Sequence, residues 1–317
     1  KNIEQFVINS RNTIKDILDG KINKKIIIVG PCSIHNIDEA KIYGKHLKDI
    51  SDKVSDKILI IMRVYFEKPR TNIGWKGLIN DPNLDNSYDI NKGIKLAREL
   101  LLYLNNINIP CAYEILDTIT PQYISDLISW GAIGARTSES QVHRQIVSGL
   151  SMPVGFKNST NGDISGAING IISSSYKQCF TGITNSGDPA IITTKGNKYT
   201  HIILRGSNNG PNYNSDFIKV YEEILKNKNL KTNIMVDCSH GNSKKNYKNQ
   251  KLVIYDIIQQ IKENNNSIIG IMIESNINEG SQKLITKEQL KYGVSITDSC
   301  INIKDTEKYI LDFYRCL

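Results

Sequence analysis

"ILIIMRVYFEKPRTNIGWKGLINDP" (residues 58–82) begins as an apolar, β-branched run and ends in concentrated positive charge. Residues 58–62 read as a strand buried on both faces. Arg63, Lys68, Arg70 and Lys76 follow at once, with Trp75, two Gly and only Glu67 as an acid among them. A core strand that delivers cations at its C-terminal end fits a fold in which such ends converge on one face.

The same rhythm recurs along the chain. Strand patterns fall at 26–33, 58–65, 110–116, 131–136, 152–158, 201–206, 233–240 and 267–275, and helical patterns at 38–50, 89–106, 121–129, 139–149, 163–174, 215–226 and 247–263. Nearly all-apolar strands alternating with amphipathic helices predict a parallel sheet covered by helices. Closing eight of them gives an α/β protein of the (β/α)8 TIM barrel type. One segment breaks the rhythm: "CFTGITNSGDPAIITTKGN" (179–197) reads as a β-hairpin excursion before the sixth barrel strand. No composition break marks a second domain, so 1–317 reads as one barrel domain with a short N-terminal helical extension (1–25).

The chain has 317 residues and a formal charge of +8, from 40 basic and 32 acidic residues. A basic balance suits nucleic acid, anionic membrane or phosphorylated small molecules. Lys, Asn and Ile are abundant even in loops such as "KENNNS" (262–267), so net charge says little by itself. A nucleic-acid binder should carry a basic stripe or an aromatic platform; neither is legible, and aromatic content is 7%. Six cysteines, with no C-x-x-C pair, point to buried thiols in a reducing compartment rather than a disulfide framework. No signal-peptide or membrane-spanning run is present, so a cytoplasmic, membrane-free protein is expected.

The strand ends sort into two groups. Arg63, Lys68, Arg136, Lys157 and Arg205 are five cations at or just beyond four of them, and Glu114 ends the third strand. Converging cations repel unless a polyanion binds, and Arg forks suit phosphate and carboxylate oxygens. "KPRT" (68–71) adds Arg70 and Thr71, suited to a second phosphate. The other group is Cys32, His240, Glu274 and Asp298. Thiolate, imidazole and carboxylate together suit a divalent transition-type metal (Mn, Fe, Co or Zn) rather than Mg or Ca. Only the barrel brings these four together. The "GPCS" turn also admits a Cys32 nucleophile with His240 as base, but so many anion-reading cations leave little role for acyl transfer.

At this point a resemblance is carried by "GPCSIH" (30–35), "MRVYFEKPRTNIGWKGLINDP" (62–82), "WGAIGARTSESQVHR" (130–144), "GFKNSTNG" (155–162), "HIILRG" (201–206), "DCSHGNSKK" (237–245), "ESNINEGSQ" (274–282) and "YGVSITDSC" (292–300). In order and over essentially the whole chain, these motifs closely resemble type I 3-deoxy-D-arabino-heptulosonate 7-phosphate (DAHP) synthase, of the microbial group regulated by aromatic amino acids. The resemblance implies a transferase of the shikimate pathway that condenses phosphoenolpyruvate with erythrose 4-phosphate and releases phosphate. It also implies a (β/α)8 barrel, a divalent metal and a homotetramer or homodimer. Carried over by motif, the metal ligands are Cys32, His240, Glu274 and Asp298. Phosphoenolpyruvate contacts are Arg63, Lys68, Glu114, Ala135, Arg136, Lys157 and Arg205. Erythrose 4-phosphate contacts are Arg70 and Thr71, with Lys68 between both substrates. The catalytic set is Lys68, Glu114, Lys157 and His240; which group activates the attacking water stays open among the metal, Lys157 and Glu114.

A feedback pocket is expected around Pro121, Gln122, Leu150, Ser151, Phe180, Gly182 and Ile192. Gly182, where phenylalanine-sensitive relatives tend to have Ser, leans toward tyrosine as the effector. Two departures stand out. The loop "SNNGPNY" (207–213) is longer than usual and lacks the common Lys. The N-terminal arm that relatives extend to a neighbouring subunit is expected to be shortened, so weak or absent inhibition is expected of the chain as it stands. The nearest rival reading is 3-deoxy-octulosonate 8-phosphate synthase, which uses arabinose 5-phosphate. "RGSN" (205–208) echoes it, whereas "KPRT" and the hairpin favour DAHP synthase.

Overall fold

A computed structural model describes residues 2–70, 72–184 and 186–317. The first five strands are β1 (Lys25–Gly30), β2 (Ile58–Arg63), β3 (Cys111–Glu114), β4 (Trp130–Ile133) and β5 (Val154–Lys157). A hairpin of β6 (Cys179–Ile183) and β7 (Pro189–Thr193) follows, then β8 (Thr200–Leu204), β9 (Ile234–Asp237) and β10 (Ile268–Asn276). Parallel pairing runs β1-β2-β3-β4-β5-β8-β9-β10, and β1 pairs with β10 from Ile26↔Gly270 to Gly30↔Glu274, which closes the ring. All eight strands expected from the sequence are therefore present, most of them shorter than their apolar runs. The hairpin forms its own antiparallel sheet, from Cys179↔Thr193 to Ile183↔Pro189, just before the sixth barrel strand. A two-residue strand, β11 (Ile301–Asn302), adds to the end of β10.

The helices are α1 (Ile3–Leu18), α2 (Ile37–Val54), α3 (Ile90–Asn106), α4 (Pro121–Ile124), α5 (Gln141–Gly149), α6 (Ser165–Ser174), α7 (Ser215–Asn227), α8 (Gln250–Lys262) and α9 (Ile303–Cys316). The abundant Asn has a structural use. Asn2, Asn36, Asn214 and Asn302 each cap a helix by accepting a backbone N–H in its first turn. The segment read as a helix over 121–129 is only one turn, α4, followed by a 3-10 turn at Ser125–Leu127. Arg11 explains the early stop, because its guanidinium takes the carbonyls of Ser125 and Ile128. Helix α9 lies beyond the helical patterns read from sequence. Its buried Thr306, Tyr309, Ile310 and Phe313 keep the i, i+3, i+4, i+7 spacing of one helical face. No described helix is long and apolar enough to cross a membrane.

Helix α1 plugs one end of the barrel. Its Ile14, Ile17 and Leu18 join the inner cluster formed by Ile26, Ile28, Ile61, Trp130, Ile203 and Met235. Asn233, just before β9, donates to Leu18 O at 2.9 Å, which places the plug at the N-terminal ends of the strands. The opposite end is left for chemistry.

Within this interior Trp130 Nε1 donates to His201 Nε2 at 3.0 Å, and His201 Nδ1 faces Ile202 O at 3.1 Å. That pairing requires a neutral ring, and burial lowers the His201 pKa to about 4. Between pH 6.5 and 4 the unfolded chain takes up a proton here that the folded chain refuses. Stability should therefore be complete above pH 6.5 and fall by roughly 3 kcal/mol as the pH drops to 4. Urea unfolding at several pH values checks this. His201→Gln, which keeps an acceptor for Trp130, should flatten the slope in that window.

Candidate active site at the strand C-termini

The C-terminal face opens into a cleft of about 570 Å³. Lys68, Arg70, Glu114, Ala135, Arg136, Lys157, Arg205, His240 and Asp298 all line it. These are residues that the sequence assigned to the site, drawn from loops and strand ends all around the barrel. Thr71 lies outside the described residues.

Below the cleft is a buried layer of charge. Arg63, 1% exposed, is not among the described lining residues. Its Nη2 donates to Glu274 Oε1 at 3.1 Å, and its guanidinium lies 3.9 Å over the Tyr65 ring. Arg63 Nη1 is buried with no hydrogen-bond partner. Glu274 Oε2 accepts from Ser239 Oγ at 2.8 Å. Gln250 grips the Glu274 backbone from both sides, donating to its carbonyl and accepting its N–H, each at 2.9 Å. Burial would raise the Glu274 pKa, but His240, Arg63 and Lys68 outweigh it and hold it down at about 2.

Cys32, Glu274 and Asp298 place their ligand atoms within 4.8 Å of one another. His240 stands at the margin of this group, with Nε2 3.8 Å from Glu274 Oε1. It sits in a left-handed backbone conformation (φ 52°), and its Nδ1 is 2.9 Å from Asp237 Oδ2. Lys68 Nζ lies 3.2 Å from both the sulfur and the carbonyl of Cys32. Burial, helped by Glu274, pushes the Cys32 thiol up to about 11, so a cation is needed to hold it as thiolate. A divalent metal fits this set: one sulfur, two carboxylates and an imidazole at the margin, mostly buried and already facing positive charge.

The cationic wall is held just as firmly. Lys157 Nζ donates to Asp237 Oδ2 at 2.9 Å. Burial pushes the Asp237 pKa up, yet the charges of His240 and Lys157 hold it well below the ordinary carboxylate range. Burial lowers the Arg205 pKa, and Asp237 opposes it. Gly134 is required beside Glu114, since a Cβ there would come within 2.2 Å of Glu114 Oε1.

Three buried asparagines fix the loops that carry Lys157, Arg205 and His240. Asn158 Oδ1 accepts from Arg205 N at 2.8 Å and from Asn212 Nδ2 at 3.2 Å. Asn212 Oδ1 accepts from Gly206 N at 2.8 Å, and its own N–H donates to Asn242 Oδ1 at 2.9 Å. Asn242 Nδ2 reaches the carbonyls of Leu204 and Asp237. The departure at 207–213 therefore leaves an anchored loop, with Asn212 as its pin. Sequence reasoning did not assign these asparagines or Gln250 to the site, and it saw Asp237 only as a strand-end residue with no role. It also passed over Thr160, Asn208, Lys245 and Tyr247 on the cleft wall. The available signal for Asn158, Thr160, Asn212, Asp237, Asn242 and Lys245 was their place in the "GFKNSTNG", "GPNY" and "DCSHGNSKK" stretches; Asn208, Tyr247 and Gln250 lie outside them.

None of the seven feedback-pocket positions lines the cleft. They fall on neighbouring segments: α4, the end of α5 and the hairpin. Gln122 Nε2 donates to Ile183 O at 2.9 Å, Phe180 pairs with Ile192, and Gly182 lies opposite Ala190. Arg11 Nη1 donates to Ser151 Oγ at 2.7 Å, while the same side chain holds the turn after α4. Pro121 is buried and Leu150 packs against the outer core.

Comparison with known proteins agrees with this fold. Residues 5–310 match the model of the DAHP synthetase I family. The chain belongs to that family. It is 47% identical to the Tyr-sensitive phospho-2-dehydro-3-deoxyheptonate aldolase of Salmonella typhimurium, covering 99% of this chain and 88% of that protein. It is 49% identical to the Phe-sensitive enzyme of Escherichia coli K12, covering 97% and 87%. The solved structure of the Francisella tularensis phospho-2-dehydro-3-deoxyheptonate aldolase superposes with a TM-score of 0.97 at 50% identity, covering all of this chain and 92% of that one. As a DAHP synthase, the chain condenses phosphoenolpyruvate with erythrose 4-phosphate to give DAHP and phosphate, the first step of the shikimate pathway.

Proposed function

We propose that the cleft binds the two phosphorylated substrates side by side, with phosphoenolpyruvate innermost and erythrose 4-phosphate toward the Arg70 rim. The observation that carries this reading is the convergence of Lys68, Arg136, Lys157 and Arg205 on one cleft beside the Cys32–Glu274–Asp298 cluster. Arg136, Lys157 and Arg205 hold the phosphate and carboxylate of phosphoenolpyruvate, and the unpaired Nη1 of Arg63 is a further donor from below. Lys68 stands between the substrates, and Arg70 with Thr71 takes the aldose phosphate.

A metal held by Cys32, Glu274, Asp298 and His240 would supply Lewis-acid polarisation of the aldehyde. The enol carbon of phosphoenolpyruvate attacks the aldehyde carbon. Water adds at the adjacent carbon, and phosphate leaves with C–O cleavage. Lys157 and Arg136 keep the departing phosphate in place, and fixed cations stabilise the charge that develops. We assign the physiological metal to Mn, Fe, Co or Zn from the mixed sulfur, nitrogen and oxygen donors.

The division of labour is tested by comparing KM values. Arg70→Ala should raise the erythrose 4-phosphate KM by about tenfold or more while shifting that of phosphoenolpyruvate far less. A phosphoenolpyruvate defect of equal size would count against the assignment.

We also propose an aromatic amino acid effector at the α4–α5–hairpin face, as the names of the Tyr- and Phe-sensitive relatives suggest. Gly182 leans toward tyrosine, because phenylalanine-sensitive relatives tend to have Ser at this position; here its place is tight, with Ile192 Cγ1 2.8 Å from a Cβ position. Inhibition assays with each amino acid check this, and stronger inhibition by phenylalanine would refute the Gly182 argument.

A further inference from the structure

Asp237 ends β9, is 1% exposed, and uses one oxygen twice. Its Oδ2 is 2.9 Å from Lys157 Nζ and 2.9 Å from His240 Nδ1. The lysine contact is a formed hydrogen bond. The histidine contact is a close approach off the ring's N–H direction, so Nδ1 still lacks a hydrogen-bond partner. The other oxygen, Oδ1, accepts from Ser239 N at 3.0 Å, and Asn242 Nδ2 pins the Asp237 carbonyl at 2.9 Å. The carboxylate therefore cannot swing to serve one partner at the other's expense. Across the ring, His240 Nε2 faces Glu274 Oε1 at 3.8 Å, on the side of the metal-fitting cluster.

We propose that Asp237 is a positioning residue for both halves of the site, fixing the Lys157 ammonium toward the phosphoenolpyruvate anion and turning the His240 ring so that Nε2 faces the metal. The proposal rests on the reading above, in which Lys157 meets substrate and His240 is a metal ligand. An imidazole ligand is oriented by the acceptor on its other nitrogen, and a small turn of the His240 ring brings its Nδ1–H onto Asp237 Oδ2, 2.9 Å away. A lysine on a flexible stem needs a fixed acceptor to hold its charge at one point. A carboxylate oxygen has lone pairs for two such donors. A single buried carboxylate thus sets the spacing between the metal-side and phosphate-side groups.

The test titrates Mn2+ and, separately and without metal, phosphoenolpyruvate into the full chain by calorimetry. Asp237→Asn should weaken Mn2+ binding by about 10–100-fold. It should weaken phosphoenolpyruvate binding by about tenfold or more. Lys157→Met should weaken phosphoenolpyruvate binding but leave Mn2+ within about twofold of wild type. The double variant Lys157→Met with Asp237→Asn leaves no lone member of the buried pair, so it remains measurable if Asp237→Asn alone fails to fold. It should bind phosphoenolpyruvate no worse than Lys157→Met, yet bind Mn2+ as poorly as expected for Asp237→Asn. A merely structural Asp237 would make the phosphoenolpyruvate losses multiply. That result, or unweakened Mn2+ binding in the double variant, overturns the proposal. Failure of the wild-type chain to bind either probe would instead remove the proposed site and this assignment with it.

Discussion

Chelating the divalent metal is expected to abolish turnover, with Mn, Fe or Co restoring it. The argument is electrostatic. Cys32, Glu274 and Asp298 bring a thiol and two carboxylates within 4.8 Å, and Lys68 and Arg63 reach only the sulfur and one of those carboxylates. Without a central cation the Cys32 thiol stays protonated, since burial and Glu274 push it up to about 11. A Lewis acid at the aldehyde contributes several kcal/mol of transition-state stabilisation, so its loss should cost about three orders of magnitude or more in rate. Dialysis against a chelator followed by add-back titration measures this directly. Cys32→Ala should lose metal affinity even at saturating Mn2+. Full activity in a demonstrably metal-free sample would remove the metal from the account.

The second large effect is expected from Arg136→Ala. Arg136 is an exposed guanidinium on the cleft wall, beside the buried Lys157 and Arg205. Its fork can bind phosphate with two parallel hydrogen bonds, and the group it holds is the one that departs. Removing such a contact should cost about 2–4 kcal/mol in transition-state binding, or roughly 30- to 1000-fold in kcat/KM for phosphoenolpyruvate. Initial rates with erythrose 4-phosphate held saturating would show it. A change below about threefold would place the phosphate elsewhere in the cleft.

The barrel was legible because all eight strands are buried along nearly their whole length and so read as unbroken apolar runs. The hairpin was legible because Gly187-Asp188-Pro189 reads as a turn between two short β-prone stretches, which the structure leaves half-exposed. The cations were legible because each ends a strand or follows it within a few residues, and a barrel sends every strand's C-terminal end to the same face. What the strand-end pattern hid was which polar groups turn inward. Arg63 and Lys68 look alike in sequence, yet one is bound to Glu274 beneath the cleft and the other lines it. Asn158, Asn212 and Asn242 are indistinguishable by type from the asparagines that cap helices or fill loops. Only the fold brings three of them together. Helix α9 escaped because a long irregular stretch, 277–300, separates it from β10. The position of His240, at the margin of the metal-fitting group, depends on a left-handed turn that its residue type does not announce.

The central claim is that this face joins phosphoenolpyruvate to erythrose 4-phosphate. The measurement that tests it most directly is the initial rate of phosphate release from phosphoenolpyruvate, in the presence of Mn2+, with each aldose phosphate in turn. The account predicts release that requires erythrose 4-phosphate, is matched mole for mole by DAHP, and is negligible with arabinose 5-phosphate. Release that proceeds equally well with arabinose 5-phosphate, or without any aldose, would contradict it.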